Sequence, residues 1–226
     1  PLSAQLAAGA VLIPGVMAWA SRHFTPTVAG PSRQPLHVLG AWREPRTLLI
    51  GVLVLSFAFT EGAANDWIAI ALVDGYGARD TTGSLAFGLF VGAMTAGRLF
   101  GGKILDRFGR VTVLRVSIAL ALAGLLLVLS GGSAPLALAG ALLWGGGTAL
   151  GFPVGMSAAA DDPARAAARV SVVSSIAYTA FLGGPPLIGV LAHGAGILHA
   201  LAVVAVVLGV AVAAAGASRP LAERRC

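Results

Sequence analysis

Arg98-Leu-Phe-Gly-Gly-Lys103-Ile-Leu-Asp106-Arg107-Phe-Gly109-Arg110 packs five of the chain's 24 charged side chains into thirteen residues. Membrane-length apolar runs flank it on both sides. A dense polar knot between two such runs is a tight turn at a bilayer surface. Gly109 supplies the positive φ that a tight turn needs. Gly102, one helical turn before Asp106, offers a bare backbone against which a neighbouring helix can pack. Asp106 has Arg98, Arg107 and Arg110 as candidate partners. A polar cluster of this kind can form in one conformational state and break in another.

The rest of the chain agrees with a membrane reading. Of 226 residues, 57% are hydrophobic and 11% charged, against about 25% charged in soluble domains. The mean hydropathy is +0.88. The net charge of +6 does not point to nucleic acid, because the basic residues sit in short connections between apolar runs. The single cysteine, Cys226, excludes an internal disulfide framework and a thiolate metal cluster. No cofactor and no metal site are expected. Pro1 stands where an initiator methionine would, and Leu2–Ala20 lacks the features of a signal peptide. The chain is expected to be a piece of a longer one.

About 20 apolar residues make one helical span. Seven stretches qualify or nearly do: 2–20, 47–72, 83–101, 112–131, 134–157, 170–192 and 195–217. None shows the ten-residue alternation of a membrane barrel, so the fold class is all-α, a polytopic membrane helical bundle. Orientation follows from the basic residues of the connections. Segments 21–46, 102–111, 158–169 and 218–226, with Arg115 just inside the next helix, carry thirteen of them. The connections on the other side carry only Arg79. The first set is therefore expected in the cytoplasm, together with the C-terminus. Segment 21–46, with Pro26, Pro31 and Pro35, reads as a cytoplasmic linker with a short surface helix near Gln34–Trp42.

The run Gly102-Lys-Ile-Leu-Asp106-Arg107-Phe-Gly109-Arg110 resembles the signature loop of the major facilitator superfamily, Gly-x-x-x-Asp-Arg-x-Gly-Arg-Arg/Lys. Val111 stands where the family has its last basic residue. The resemblance implies twelve helices in two halves, each of two inverted three-helix repeats, with the solute site between the halves. Residues 1–20 would then be the end of helix six, 21–46 the central linker, 47–217 the six-helix C-terminal bundle (helices seven to twelve) and 218–226 a cytoplasmic tail. The implied partners are the lipid bilayer, a small-molecule solute and an N-terminal six-helix half. The implied location is a bacterial plasma membrane, in keeping with an arginine-rich chain that has one lysine. Arg98, Gly102, Asp106, Arg107, Gly109 and Arg110 would form a conformational latch.

Two further constellations carry candidate chemistry. Thr60-Glu61-Gly-Ala-Ala-Asn65-Asp66-Trp67 lies inside span 47–72. A carboxylate at mid-helix costs about 2.5–3.5 kcal/mol on insertion scales, so Glu61 must face a partner or a wet cavity. Asn65 shares its face, one turn on. The run resembles helix seven of a sugar-permease-like branch, where Glu61, Asn65, Asp66 and Trp67 would handle solute or protons; Tyr178 is a further cavity candidate. The other reading of the run is a structural polar contact, with Trp67 as an interfacial anchor. In Gly183-Gly184-Pro185-Pro186 the prolines remove helical hydrogen bonds and the glycines leave room to bend. That stretch reads as a hinge in helix eleven, or as a static kink. Gly147-x-x-x-Gly151-x-x-x-Gly155 and Gly88-x-x-x-Gly92 offer small faces for helix contact. Asp161 and Asp162, with Arg165 and Arg169, read as a solvated loop and helix start.

The functional expectation is a secondary transporter of a sugar-like or drug-like solute, working by alternating access and coupled to a gradient. The chain is not expected to be an enzyme. Two other classes remain: a helical membrane subunit with no solute of its own, and an intramembrane serine protease using Ser133 with His193 or His199.

Overall fold

A computed structural model describes residues 2–22 and 38–220 of the chain. The prolines of the expected linker and the basic tail Arg224–Arg225 lie outside the described residues. Residues Pro1–Pro35 and Leu36–Cys226 form two compact units. Among the described residues the first holds one helix, α1 (Leu2–Ser21), with Pro14 inside it. The second holds a short helix α2 (Val38–Ala41), within the stretch where a surface helix was expected, followed by the bundle.

Six candidate spans build the bundle, and the described residues contain no strand. In lipid a backbone must satisfy its own polar groups, which leaves helices for runs of this kind. The spans are α3 (Pro45–Tyr76), α4 (Asp80–Phe108), α5 (Arg110–Leu129), α6 with α7 (Ala134–Thr148 and Gly151–Ala159), α8 (Ala166–Ala195) and α9 (Ile197–Ala214), which ends in a 3₁₀ turn, Ala215–Ser218. Pro45 starts α3 at the position where a missing N–H costs nothing. Gly77, at φ 62°, ends it in the left-handed conformation and donates its N–H to the Leu72 carbonyl.

The helices run past the apolar stretches that announce them. The expected loop 102–111 is almost entirely helix: α4 continues to Phe108 and α5 begins at Arg110. Only Gly109 lies between them, at φ 74° and ψ 159°. Gly196 plays the same part between α8 and α9, at φ 82° and ψ 156°. Both sit in a region essentially restricted to glycine.

The packing has an internal symmetry. α3 lies against α8 and α9, while α6 lies against α4 and α5. The first helix of each three-helix unit thus packs on the second and third helices of the other. Tight backbone approach makes this possible on the α6 side: a Cβ on Gly147 would collide with the Ala121 backbone, and one on Gly145 with the Phe90 carbonyl. Gly151 and Gly155, on α7, are filled against by Phe57 and Val54. Gly88 and Gly92 meet nothing within contact distance among the described residues. Gly102 also stands clear; Gly101, against which Leu150 packs, is the close-approach residue of that turn.

Trp144 is fully buried at the centre of the core, edge-on to Phe90 with ring centroids 5.9 Å apart. Tyr76 fastens the opposite end of the bundle, donating to the Val128 carbonyl and accepting from Gly131 N–H. Burial separates the spans. The most apolar window of α3 is 72% buried, whereas those of α4 and α8 are 22% buried. α3 is the central post of the bundle, and α4 and α8 present its open faces.

One expected span is split. Segment 134–157 breaks at Ala149–Leu150, between α6 and α7. The cause is Pro153, which lacks the N–H that would bond the carbonyl four residues back, at Ala149. α8, by contrast, remains one helix through Pro185 and Pro186.

Candidate functional site

A cavity of about 940 Å³ opens between α3, α4, α7 and α8. Its wall includes Glu61 from α3, Arg98, Gly102 and Asp106 from α4, Gly109 and Arg110 at the α4–α5 turn, Phe152 and Ser157 from α7, and Tyr178 and Phe181 from α8. The fold therefore brings two constellations, far apart in sequence, onto one surface: the acidic residue of α3 and the charged turn.

At the inner end of this cavity Arg98 and Glu61 form an ion pair. One terminal nitrogen of Arg98, Nη2, donates to both carboxylate oxygens, at 3.1 Å and 3.0 Å. The Glu61 side chain is 13% exposed and that of Arg98 43% exposed. Arg98 Nε turns the other way, to the Ala149 carbonyl at 3.3 Å. The fold thus gives the intramembrane carboxylate the counter-charge it needs, on the neighbouring helix and at a cavity wall.

The expected partners of Asp106 are engaged elsewhere. Arg98 is held by Glu61, and Arg110 donates to Asp161 at 2.6 Å and to Ser157 Oγ at 3.2 Å. Arg107 lies over the Phe108 ring, 5.4 Å from its centroid. Asp106 is exposed and has no hydrogen-bond or ion-pair partner among the described residues.

Asp161 is the residue that the sequence understates. Instead of a solvated loop position, it is 11% exposed and accepts from two arginines, Arg46 at 2.8 Å and Arg110 at 2.6 Å. Arg46 also donates to the carbonyls of Ala217 and Arg219. The starts of α3 and α5 and the end of α7 thus meet at one carboxylate, and Arg46 ties the segment that follows α9 to the same cluster. Beside it, Glu44 accepts from Thr47, Arg165 and Arg169, at 2.9, 2.9 and 2.6 Å, and so joins the start of α3 to the start of α8. Arg169 also faces Asp162 at 3.6 Å, an ion pair longer than a hydrogen bond. Burial alone would raise the Glu44 pKa, but the hydrogen bonds from Arg169, Thr47 and Arg165 outweigh it and hold the carboxyl below its ordinary value.

The remaining candidates divide. Tyr178 is on the cavity wall and 62% exposed. Asn65 and Asp66 are exposed but do not line the cavity. Trp67 lines a separate pocket of about 380 Å³ near the other end of the bundle, with Asp74 and His199; its indole edge rests against Gly189 and its buried Nε1 has no partner among the described residues. Gly184 packs on Phe59, while Gly183 is open. Ser133 caps α6, accepting from Leu136 N–H at 3.4 Å, which gives its hydroxyl a structural task. A residue missed at the cavity is Pro153; a proline inside an apolar run was the available signal.

A family model described as Major Facilitator Superfamily matches residues 49–225. Among curated proteins, an uncharacterised transporter of Sinorhizobium fredii is 37% identical over 148 residues, which cover 65% of this chain and 39% of that protein. Membrane protein MosC of Rhizobium meliloti is 33% identical over 178 residues, covering 78% and 44%. An uncharacterised MFS-type transporter of Yersinia pestis is 30% identical over 213 residues, covering 92% and 53%. The chain spans about half, or less, of the length of these relatives. No solved structure gives a significant match.

Proposed function

The chain belongs to the major facilitator superfamily, and on that premise we propose that it is the C-terminal half of a secondary active transporter. Its partner would be an N-terminal six-helix half, closing the open cavity from the other side. α1 is then the end of helix six, and the bundle from α3 to α9 supplies helices seven to twelve. The spans place the protein in the membrane as a multi-pass chain; we assign it to a bacterial plasma membrane, with the signature turn and the C-terminus in the cytoplasm. That orientation rests on thirteen basic residues on one side against Arg79 on the other.

The observation that carries the reading is the Glu61–Arg98 pair on the wall of a 940 Å³ cavity. Charges kept within membrane-spanning helices mark solute or ion pathways. We assign Glu61 to solute or proton handling, with Tyr178 on the facing wall, and transport to alternating access coupled to a gradient. Asp106, exposed and without a partner among the described residues, serves as the latch residue that engages the other half in one state of the cycle. The solute is a small polar molecule, sugar-like or amine-bearing.

The test is uptake and efflux by the full-length protein in proteoliposomes, with labelled hexoses and a fluorescent cationic amine as probes under an imposed proton gradient. Glu61→Gln is expected to abolish gradient-driven movement, and Asp106→Asn to slow it at least tenfold. Transport unaltered in both variants would remove the site assignment; a helical subunit with no solute of its own would show no movement of any probe.

A further inference from the structure

Arg98 holds two groups at once, and they belong to different helices. Nη2 holds Glu61 on α3, and Nε holds the Ala149 carbonyl at the α6–α7 break. That carbonyl is the one from which Pro153 withholds a helical donor. Ala149 is fully buried, and a buried carbonyl without a partner costs free energy comparable to a lost hydrogen bond. The helical ladder resumes at once beyond it, with Val154 N–H donating to Leu150 at 3.0 Å. The break thus lacks a single ladder bond, and Arg98 supplies the bond that the proline removes.

We propose that Arg98 is a positioning residue that couples the charge on Glu61 to the angle between α6 and α7. This rests on the cavity being the solute site. With Glu61 ionised, the guanidinium is drawn towards α3 and fixed by both ends, and the break is held at one angle. When Glu61 is neutralised, by a proton or by the cationic group of a solute, the Nη2 anchor is lost. The guanidinium is then free to turn into the cavity, and the Ala149 carbonyl loses a fixed donor. α7 forms one wall of the cavity through Phe152, Pro153 and Ser157, so a change at the break alters the cavity that the solute occupies. The other titratable groups on that wall are Asp106, Arg110 and Tyr178. Arg110 is held by Asp161, and Asp106 lies two helical turns from Arg98, so neither replaces Glu61 as the near counter-ion.

α7 is an arm of about 14 Å, and a change of about 20° at its base moves its tip by about 5 Å. Spin labels on Ala160→Cys, at that tip, and Val116→Cys, exposed on α5, report the motion in the full-length protein with Cys226→Ser. Glu61→Gln is expected to shift the inter-label distance or add a second population. Arg98→Lys keeps a positive charge for Glu61 but has a single nitrogen in place of the separate Nε and Nη2 that span the two acceptors, and should give the same shift unaided. Pro153→Ala restores the missing N–H and should abolish both effects. A distance unchanged by Glu61→Gln and by Arg98→Lys, or a shift that persists in the Pro153→Ala background, would overturn the coupling. If Glu61→Gln stops transport while α7 stays still, the coupling fails and the transport reading stands. If α7 moves while transport is intact, the coupling stands and Glu61 is not the transport residue.

Discussion

Arg110 and Asp161 are 51 residues apart in sequence and 2.6 Å apart in space. Their pair divides the signature turn into two parts with separate tasks. Arg110 points into the bundle, where Asp161 also holds Arg46; Asp106, four residues earlier, has no partner among the described residues. Arg110 thus has a task within the bundle that Asp106 does not share.

Asp161→Asn should therefore destabilise the protein by about 2–3 kcal/mol, since it leaves two part-buried arginines without their shared carboxylate. Asp106→Asn should leave stability within about 0.5 kcal/mol, as expected at an exposed site, while slowing transport. Thermal melts of the detergent-solubilised full-length protein, beside its transport rate, separate the two roles. Equal loss of stability in both variants would contradict the division.

The Glu44 cluster predicts a pH dependence. Its carboxyl titrates below the ordinary value of 4.5, so the folded state binds its proton less readily than the unfolded one. The stabilisation is complete above that ordinary value and is lost as the pH falls through the lower folded-state pKa. Melting temperatures followed from neutral pH to about pH 3 should show an acid limb that is shallower in Glu44→Gln. An unchanged limb would assign the acid sensitivity to another carboxylate.

Much of this was legible from residue order. Six of the seven expected spans and the positive φ at Gly109 follow from apolar run length and turn chemistry. The helix ends were not, because hydropathy measures where a segment stops being apolar, and α4 stays helical through Gly102, Lys103, Asp106 and Arg107. Nor was Asp161, whose partners lie 115 and 51 residues away; no local period records such a meeting. The Glu61–Arg98 pair was half visible. An intramembrane carboxylate demands a counter-ion, but the sequence supplies several arginines and only the packing of α4 on α3 selects one.

Trp144 offers a test of the core. Trp144→Ala should cost about 3–5 kcal/mol through the cavity it leaves. Trp144→Phe should cost only about 1 kcal/mol, because the indole Nε1 has no partner among the described residues to lose. A phenylalanine variant as unstable as the alanine one would show that the indole nitrogen is bonded after all.

Gly109 and Gly196 share one backbone conformation at opposite ends of the bundle. Alanine at either should cost about 1–3 kcal/mol from backbone strain. Because only the Gly109 turn carries the charges, Gly109→Ala should also change transport beyond what its loss of stability explains. Urea or thermal unfolding of both variants, normalised against transport, checks this.

The break at Ala149–Leu150 has an electrostatic consequence as well. It leaves the Ala149 carbonyl without a helical donor inside the bundle, and such a carbonyl is a fixed partial negative charge. Arg98 lies against that end through the Ala149 carbonyl. Its positive charge is therefore opposed by two sources, the Glu61 carboxylate and the Ala149 carbonyl dipole, and only the first can be neutralised. When Glu61 is neutral the second remains as a weaker, fixed attraction, so a guanidinium that turns into the cavity still has a counter-charge within the span.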